Sequence, residues 1–138
     1  MNALGPIVVI EDDVDDQHML VEVFEKLGYP NKVFYFADGN TALNFLSVGE
    51  MYPLFILADI NMPKINGFEV LEKILSTEKL RAKNIHYLFF TTALDKHTIK
   101  TAHSLPMQGY FIKPNTQEKL QDMIKKIVDY WQASTSSI

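Results

Sequence analysis

The stretch Leu54-Phe55-Ile56-Leu57-Ala58 is apolar at every position and ends abruptly in Asp59. A strand with one wet face alternates apolar and polar residues. A run that does not alternate, and is bounded by turn residues, reads as a strand buried on both faces, as in a parallel sheet. Beyond Asp59 come Asn61 and Pro63, and then Gly67, which opens a helical pattern. In open α/β sheets, ligands collect just outside the carboxyl ends of the strands. Asp59 stands at such an end, and the rest of the chain decides what chemistry meets it there.

The remaining segments repeat the arrangement. Ile7 to Ile10 is a β-branched run that ends in Glu11-Asp12-Asp13, and Lys32 to Phe36 is a second strand between Pro30-Asn31 and Asp38-Gly39. Ile85 to Phe90 stops at Thr91-Thr92, and Gly109 to Ile112 stops at Lys113-Pro114. Between the strands the apolar period changes to that of a helix. Met19, Leu20, Val23, Phe24 and Leu27 precede Gly28, with Asp15 or Asp16 as the expected N-cap or first-turn acid. Ala42, Leu43 and Leu46 mark a second helix, and Phe68, Val70, Leu71, Ile74 and Leu75 a third. Ser76 to Asn84 reads as a helix end and loop. Asp95 to Ser104 reads as a fourth helix. A fifth runs from Thr116 to Trp131 with Leu120, Met123, Ile124, Ile127 and Val128 on one face. Five alternations with short connections predict a parallel sheet with helices on both faces. They are too few for an eight-stranded barrel, so the expectation is the flavodoxin-like strand order 2-1-3-4-5.

Composition narrows the function. The 138 residues contain no cysteine, which excludes disulfides and thiolate metal sites, and the four histidines lack zinc-ligand spacing. A net charge of −4 without a basic cluster argues against direct nucleic-acid binding. No apolar run reaches transmembrane length, so the expectation is a cytoplasmic chain without membrane attachment. A single domain over residues 1–132 and a disordered polar tail over 133–138 complete the expected organisation.

The strand ends carry the chemistry. Strand one delivers Glu11, Asp12 and Asp13, strand three Asp59, strand four Thr91 and Thr92, and strand five Lys113. Carboxylates gathered this closely repel one another unless a cation intervenes, and hard oxygen ligands suit Mg²⁺. A lysine beside them can pair with a carboxylate or a phosphoryl group, and a threonine hydroxyl can donate to a phosphoryl oxygen. The set describes a carboxylate nucleophile poised for phosphoryl transfer.

From Ile7 to about Trp131 the chain resembles a response-regulator receiver domain, the CheY-like phosphoacceptor module of two-component signalling. The resemblance rests on Glu11-Asp12, on Asp59-x-Asn61-x-Pro63 with Gly67, on Thr91, on Tyr110 and on Lys113-Pro114. It implies Asp59 as phosphoacceptor and Mg²⁺ held by Asp12, Asp59 and the Asn61 backbone carbonyl, with Glu11 acting through a metal-bound water. It implies Lys113 as the contact of the acceptor and then of the phosphoryl group. Thr91 and Tyr110 are implied as a coupled switch, and the Lys113-Pro114 peptide as cis. The implied partners are a sensor histidine kinase or histidine phosphotransfer protein, and a downstream protein target.

Three consecutive acids allow the metal-binding pair to be read one residue later, but Glu11-Asp12 has the better spacing to Met19 and Leu20. The chain departs from the family pattern at Asn115, where an aromatic is common, at Ala58, and in the Ser104 to Gly109 connection. Asn61 and Ala93 flank the path of an attacking water, where they are expected to influence phosphate lifetime. Taken singly, each residue has a plainer reading. Asp59 is a turn former, Lys113 a surface lysine, Asp13 a helix cap, Tyr110 a half-buried strand residue and Trp131 core. Two other functions compete. One is a receiver-like interaction module that works without phosphorylation. The other is a Mg²⁺-dependent hydrolase of the haloacid dehalogenase type, which needs an aspartate where Asn61 stands. The signalling module, rather than a turnover enzyme, fits the residues best.

Overall fold

The computed structural model describes residues 3–135. Five parallel strands, β1 (Ile7–Ile10), β2 (Val33–Phe36), β3 (Phe55–Ala58), β4 (Tyr87–Thr91) and β5 (Gly109–Ile112), form one sheet in the order β2-β1-β3-β4-β5. Helices α1 (Val14–Leu27), α2 (Gly39–Ser47), α3 (Gly67–Ser76), α4 (Glu78–Arg81), α5 (Lys96–His103) and α6 (Gln117–Thr135) connect and follow the strands.

Successive residues of a strand face opposite sides, and the apolar runs therefore feed two cores. Ile7, Val9, Phe55, Leu57, Leu88 and Phe90 pack against Leu20, Val23 and Phe24 of α1 and against Leu120, Ile124, Ile127 and Val128 of α6. Val8, Ile10, Ile56, Ala58, Tyr87 and Phe89 pack on the other side against α2 and α3, with Leu80 of α4 and Ala102 of α5. β1, β3 and β4 are buried along their whole length. This is why their sequences do not alternate.

Asp13 caps α1, as its plainer reading has it, by accepting the Asp16 N–H at 2.9 Å; Asp15 and Asp16 lie in the first turn, and Gly28 closes the helix in the left-handed region with φ 67°. Asn66 and Glu69 form a reciprocal capping box at the start of α3. The stretch Ser76 to Asn84, expected as a helix end and loop, contains the single turn α4, anchored by buried Leu80. At the other end α6 continues through Thr135, so the expected tail is helical over 133–135. Within it, Ser134 returns its hydroxyl to the Tyr130 carbonyl at 2.9 Å. Residues 136–138 of that tail lie outside the described residues. Among the described residues no helix is long and apolar enough to cross a membrane.

Candidate functional site

Strand register builds the site. Ile10 of β1 pairs with Ala58 of β3, and Ala58 with Phe89 of β4, so one residue further along, Glu11 and Asp59 emerge together. The Asp59 N–H donates to the Ile10 carbonyl at 3.0 Å and extends the ladder to that point. Thr91 pairs with Ile112, and the Lys113 N–H donates to the Thr91 carbonyl at 2.9 Å, which brings Lys113 out beside the acids.

After Asp59 the chain turns back sharply on itself. The Gly67 N–H donates to the Ile60 carbonyl at 2.8 Å. A Cβ at position 67 would collide with the Asp59 carbonyl oxygen and stand 3.0 Å from Ile60 Cα. Glycine is required because two stretches of backbone touch there.

Glu11, Asp12 and Asp59 each offer one carboxylate oxygen, and these three oxygens lie within 4.8 Å of one another. Glu11 and Asp59 are buried. Asp13 is not part of this group, because its carboxylate is engaged as the α1 cap and points to its own helix. One Asp59 oxygen, Oδ1, accepts the Ile60 N–H at 2.8 Å, and the other, Oδ2, accepts from Lys113 Nζ at 3.1 Å. Glu11 Oε2 accepts the Asp13 N–H at 3.1 Å. Glu11 Oε1 is held by Lys113, whose Nζ lies 2.6 Å away as an ion pair. Burial pushes the Glu11 carboxyl up to about 7, against the lowering pull of Lys113. Burial would lower Lys113, but hydrogen bonds and charge from Asp16, Glu11 and Asp59 outweigh it and hold the ammonium above its usual range. Three carboxylates, each with an oxygen within 4.8 Å of those of the other two, are a donor set that fits a small hard divalent cation.

Asp16 is the residue that sequence reasoning missed as a site member. Its Oδ2 accepts from Lys113 Nζ at 2.8 Å. The available signal was an acid in the first turn of a helix that starts directly at the acidic strand end.

Thr91 is fully buried while Thr92 is exposed. The Ala93 N–H donates to Thr91 Oγ1 at 3.3 Å, and the Tyr110 hydroxyl donates to the Ala93 carbonyl at 2.8 Å. The two implied switch residues are therefore joined through the backbone of Ala93. Burial, with the charges of Asp95 and Asp59, raises the Tyr110 hydroxyl pKa and keeps it a donor. Asn61 is exposed in the loop after β3. No peptide bond among the described residues is cis, so Lys113-Pro114 is trans, in contrast to the expectation. Trans is the intrinsically favoured form of an X–Pro bond.

A family model described as "Response regulator receiver domain" matches residues 7–125. The chain belongs to this family. Among curated relatives of this receiver domain, the "Probable methanogenesis regulatory protein FilR2" of Methanothrix harundinacea is 32% identical over 129 residues, spanning 91% of this chain and 82% of that protein. The solved structure of the phosphorylated cyanobacterial phytochrome response regulator RcpA is similar with a TM-score of 0.82 and 25% identity, covering 95% of this chain and 96% of that one. The Mn²⁺-bound form of response regulator Rcp1 gives a TM-score of 0.78 at 27% identity, covering 93% and 94%. The observed order β2-β1-β3-β4-β5 is the flavodoxin-like receiver fold.

Proposed function

We propose that Asp59 accepts a phosphoryl group from the phosphohistidine of a sensor histidine kinase or histidine phosphotransfer protein, with Mg²⁺, and that the phosphorylated chain signals through a changed protein-binding surface. The observation that carries this reading is the convergence on one carboxylate of a lysine ammonium and two further acids. The relatives support it, since RcpA has been solved phosphorylated and Rcp1 with a bound divalent metal.

In the transfer, an Asp59 carboxylate oxygen attacks phosphorus, the P–N bond breaks, and the imidazole leaves with the bonding pair. Mg²⁺, when bound by Asp12, Asp59 and the Asn61 carbonyl with Glu11 through water, supplies neutralisation of the phosphoryl oxygens. Lys113, beside the acceptor carboxylate, offers its ammonium to the phosphoryl oxygens. The Ile60 N–H orients the acceptor carboxylate through Oδ1. Thr91 turns its hydroxyl to a phosphoryl oxygen. That movement withdraws the acceptor of the Ala93 N–H and shifts the carbonyl to which Tyr110 donates. A new dianion at Asp59 thus reaches the surface of α5 and β5, which a protein target reads. The chain works as a cytoplasmic signalling protein and does not turn over substrate as an enzyme.

The test is intact-mass analysis after incubation with acetyl phosphate and Mg²⁺, run beside Asp59→Asn. The expected result is one Mg²⁺-dependent phosphoryl adduct, labile to hydroxylamine and absent from the variant. No adduct from small donors or from phosphohistidine proteins would leave an interaction module that acts without phosphorylation.

A further inference from the structure

Lys113 is surrounded by more acid than pairing with the acceptor alone requires. Its Nζ lies 2.6 Å from Glu11 Oε1, 2.8 Å from Asp16 Oδ2 and 3.1 Å from Asp59 Oδ2. These acids divide into two kinds. Glu11 and Asp59 also belong, with Asp12, to the group of oxygens close enough to hold one metal ion. Asp16 is not in that group. It comes from the first turn of α1, and its side chain is 36% exposed at the edge of the site.

The division matters as soon as a divalent cation binds. The cation and the ammonium then share the Glu11 and Asp59 carboxylates, and two positive charges a few ångströms apart repel each other. A lysine held by those two acids alone would move off on its flexible four-carbon stem, and nothing covalent would bring it back. The Phe90 ring, 5.7 Å from Nζ, offers a contact on the inner side but no anionic anchor. Asp16 is the carboxylate that the cation does not use.

We propose that Asp16 is a positioning residue that keeps the Lys113 ammonium beside Asp59 while a divalent cation occupies the Glu11, Asp12 and Asp59 carboxylates. This role rests on the metal site of the proposed function. Asp16 acts through Lys113 and does not touch the phosphoryl group. With one N–H committed to Asp16, the ammonium keeps a fixed orientation towards the acceptor, and less side-chain entropy is lost during transfer.

The test uses the full chain with ¹⁵N-labelled lysine and follows the Lys113 ammonium resonance, assigned by its loss in Lys113→Met, without metal and at saturating Mg²⁺. In the wild type the resonance persists in Mg²⁺. In Asp16→Ala it is lost to exchange with water in Mg²⁺, and in Asp16→Glu, which restores a carboxylate, it returns. In phosphoramidate reactions at saturating donor and Mg²⁺, where any change in metal affinity drops out, Asp16→Ala slows adduct formation about three- to tenfold. Asp16→Glu recovers most of that rate. A wild-type resonance in Asp16→Ala with Mg²⁺ bound overturns the role, and so does an unchanged saturated rate. If the wild type takes up no phosphoryl group, the phosphoacceptor reading fails by itself, and the resonance alone decides whether Asp16 holds Lys113. A chain that binds no Mg²⁺ by calorimetry overturns the role outright.

Discussion

The hydroxyl of Tyr87, on β4 in the middle of the sheet, donates to the Gly67 carbonyl at 2.8 Å. Tyr87 is 1% exposed, and burial alone drives its ionisation far above the usual range, so the group is a permanent donor. Gly67 is itself bonded through its N–H to Ile60, the neighbour of Asp59. A core side chain thus fixes the loop that carries the acceptor. Tyr87→Phe keeps the ring and removes this donor, while the Gly67 carbonyl stays within the first turn of α3. The expected cost is about 0.5–1.5 kcal/mol, read as a lower urea midpoint at unchanged m-value. A wild-type midpoint would show that the carbonyl finds another donor.

Gly67→Ala tests the same loop from its other side. The added methyl meets backbone, the Asp59 carbonyl oxygen and Ile60 Cα, and backbone cannot step aside as a side chain does. The loop and Asp59 must shift together. A loss of about 1–3 kcal/mol or more is expected, together with weaker Mg²⁺ binding by calorimetry. Wild-type thermal stability in this variant would contradict the close approach.

His86 contributes a pH response of its own. Its ring stacks on Trp131 with centroids 4.0 Å apart, and Nδ1 lies 3.4 Å from the Leu54 carbonyl. Burial lowers its pKa below the usual 6.5 despite that contact. The unfolded chain therefore takes up a proton at higher pH than the folded one. Stability from this group is complete above pH 6.5 and is lost as pH falls from there through the lower folded value. Urea unfolding followed across that window should show wild-type stability falling relative to His86→Phe, because the opposite contribution of Glu11 is common to both proteins. Parallel profiles would remove His86 as the cause.

What the sequence made legible follows from burial. β1 and β3 are apolar throughout, and β4 runs apolar through Leu88, Phe89 and Phe90 to a buried threonine at its last position. The first polar residue of each, Glu11, Asp59 or Thr91, therefore marks both the strand end and the site. Asp16 was legible only as a first-turn acid, because the dipole of α1 explains it locally and its partner Lys113 lies 97 residues on. The cap of α1 was legible as Asp13, with Asp15 and Asp16 as acids of the first turn. The single turn α4 buries one leucine, too little to produce a periodic signal. The bridge from Thr91 through Ala93 to Tyr110 uses main-chain groups, which every residue type carries.

Lys113→Met separates the two cations that the site can use. The substitution keeps an unbranched side chain over Phe90 and removes the charge facing Glu11, Asp16 and Asp59. Glu11 and Asp59 are buried, and without the ammonium they repel each other with no compensating partner. Removing one partner of such a buried pair is expected to cost about 2–4 kcal/mol in metal-free buffer. Mg²⁺ then finds the carboxylates uncontested, whereas in the wild type it must share them with the ammonium. Because a ligand stabilises by an amount set by its affinity for the folded state, saturating Mg²⁺ should raise Tm further in Lys113→Met than in the wild type. Differential scanning calorimetry with and without Mg²⁺ reads both quantities. An equal rise in the two proteins would mean that the lysine and the metal do not compete, and that Glu11 and Asp59 are not shared between them.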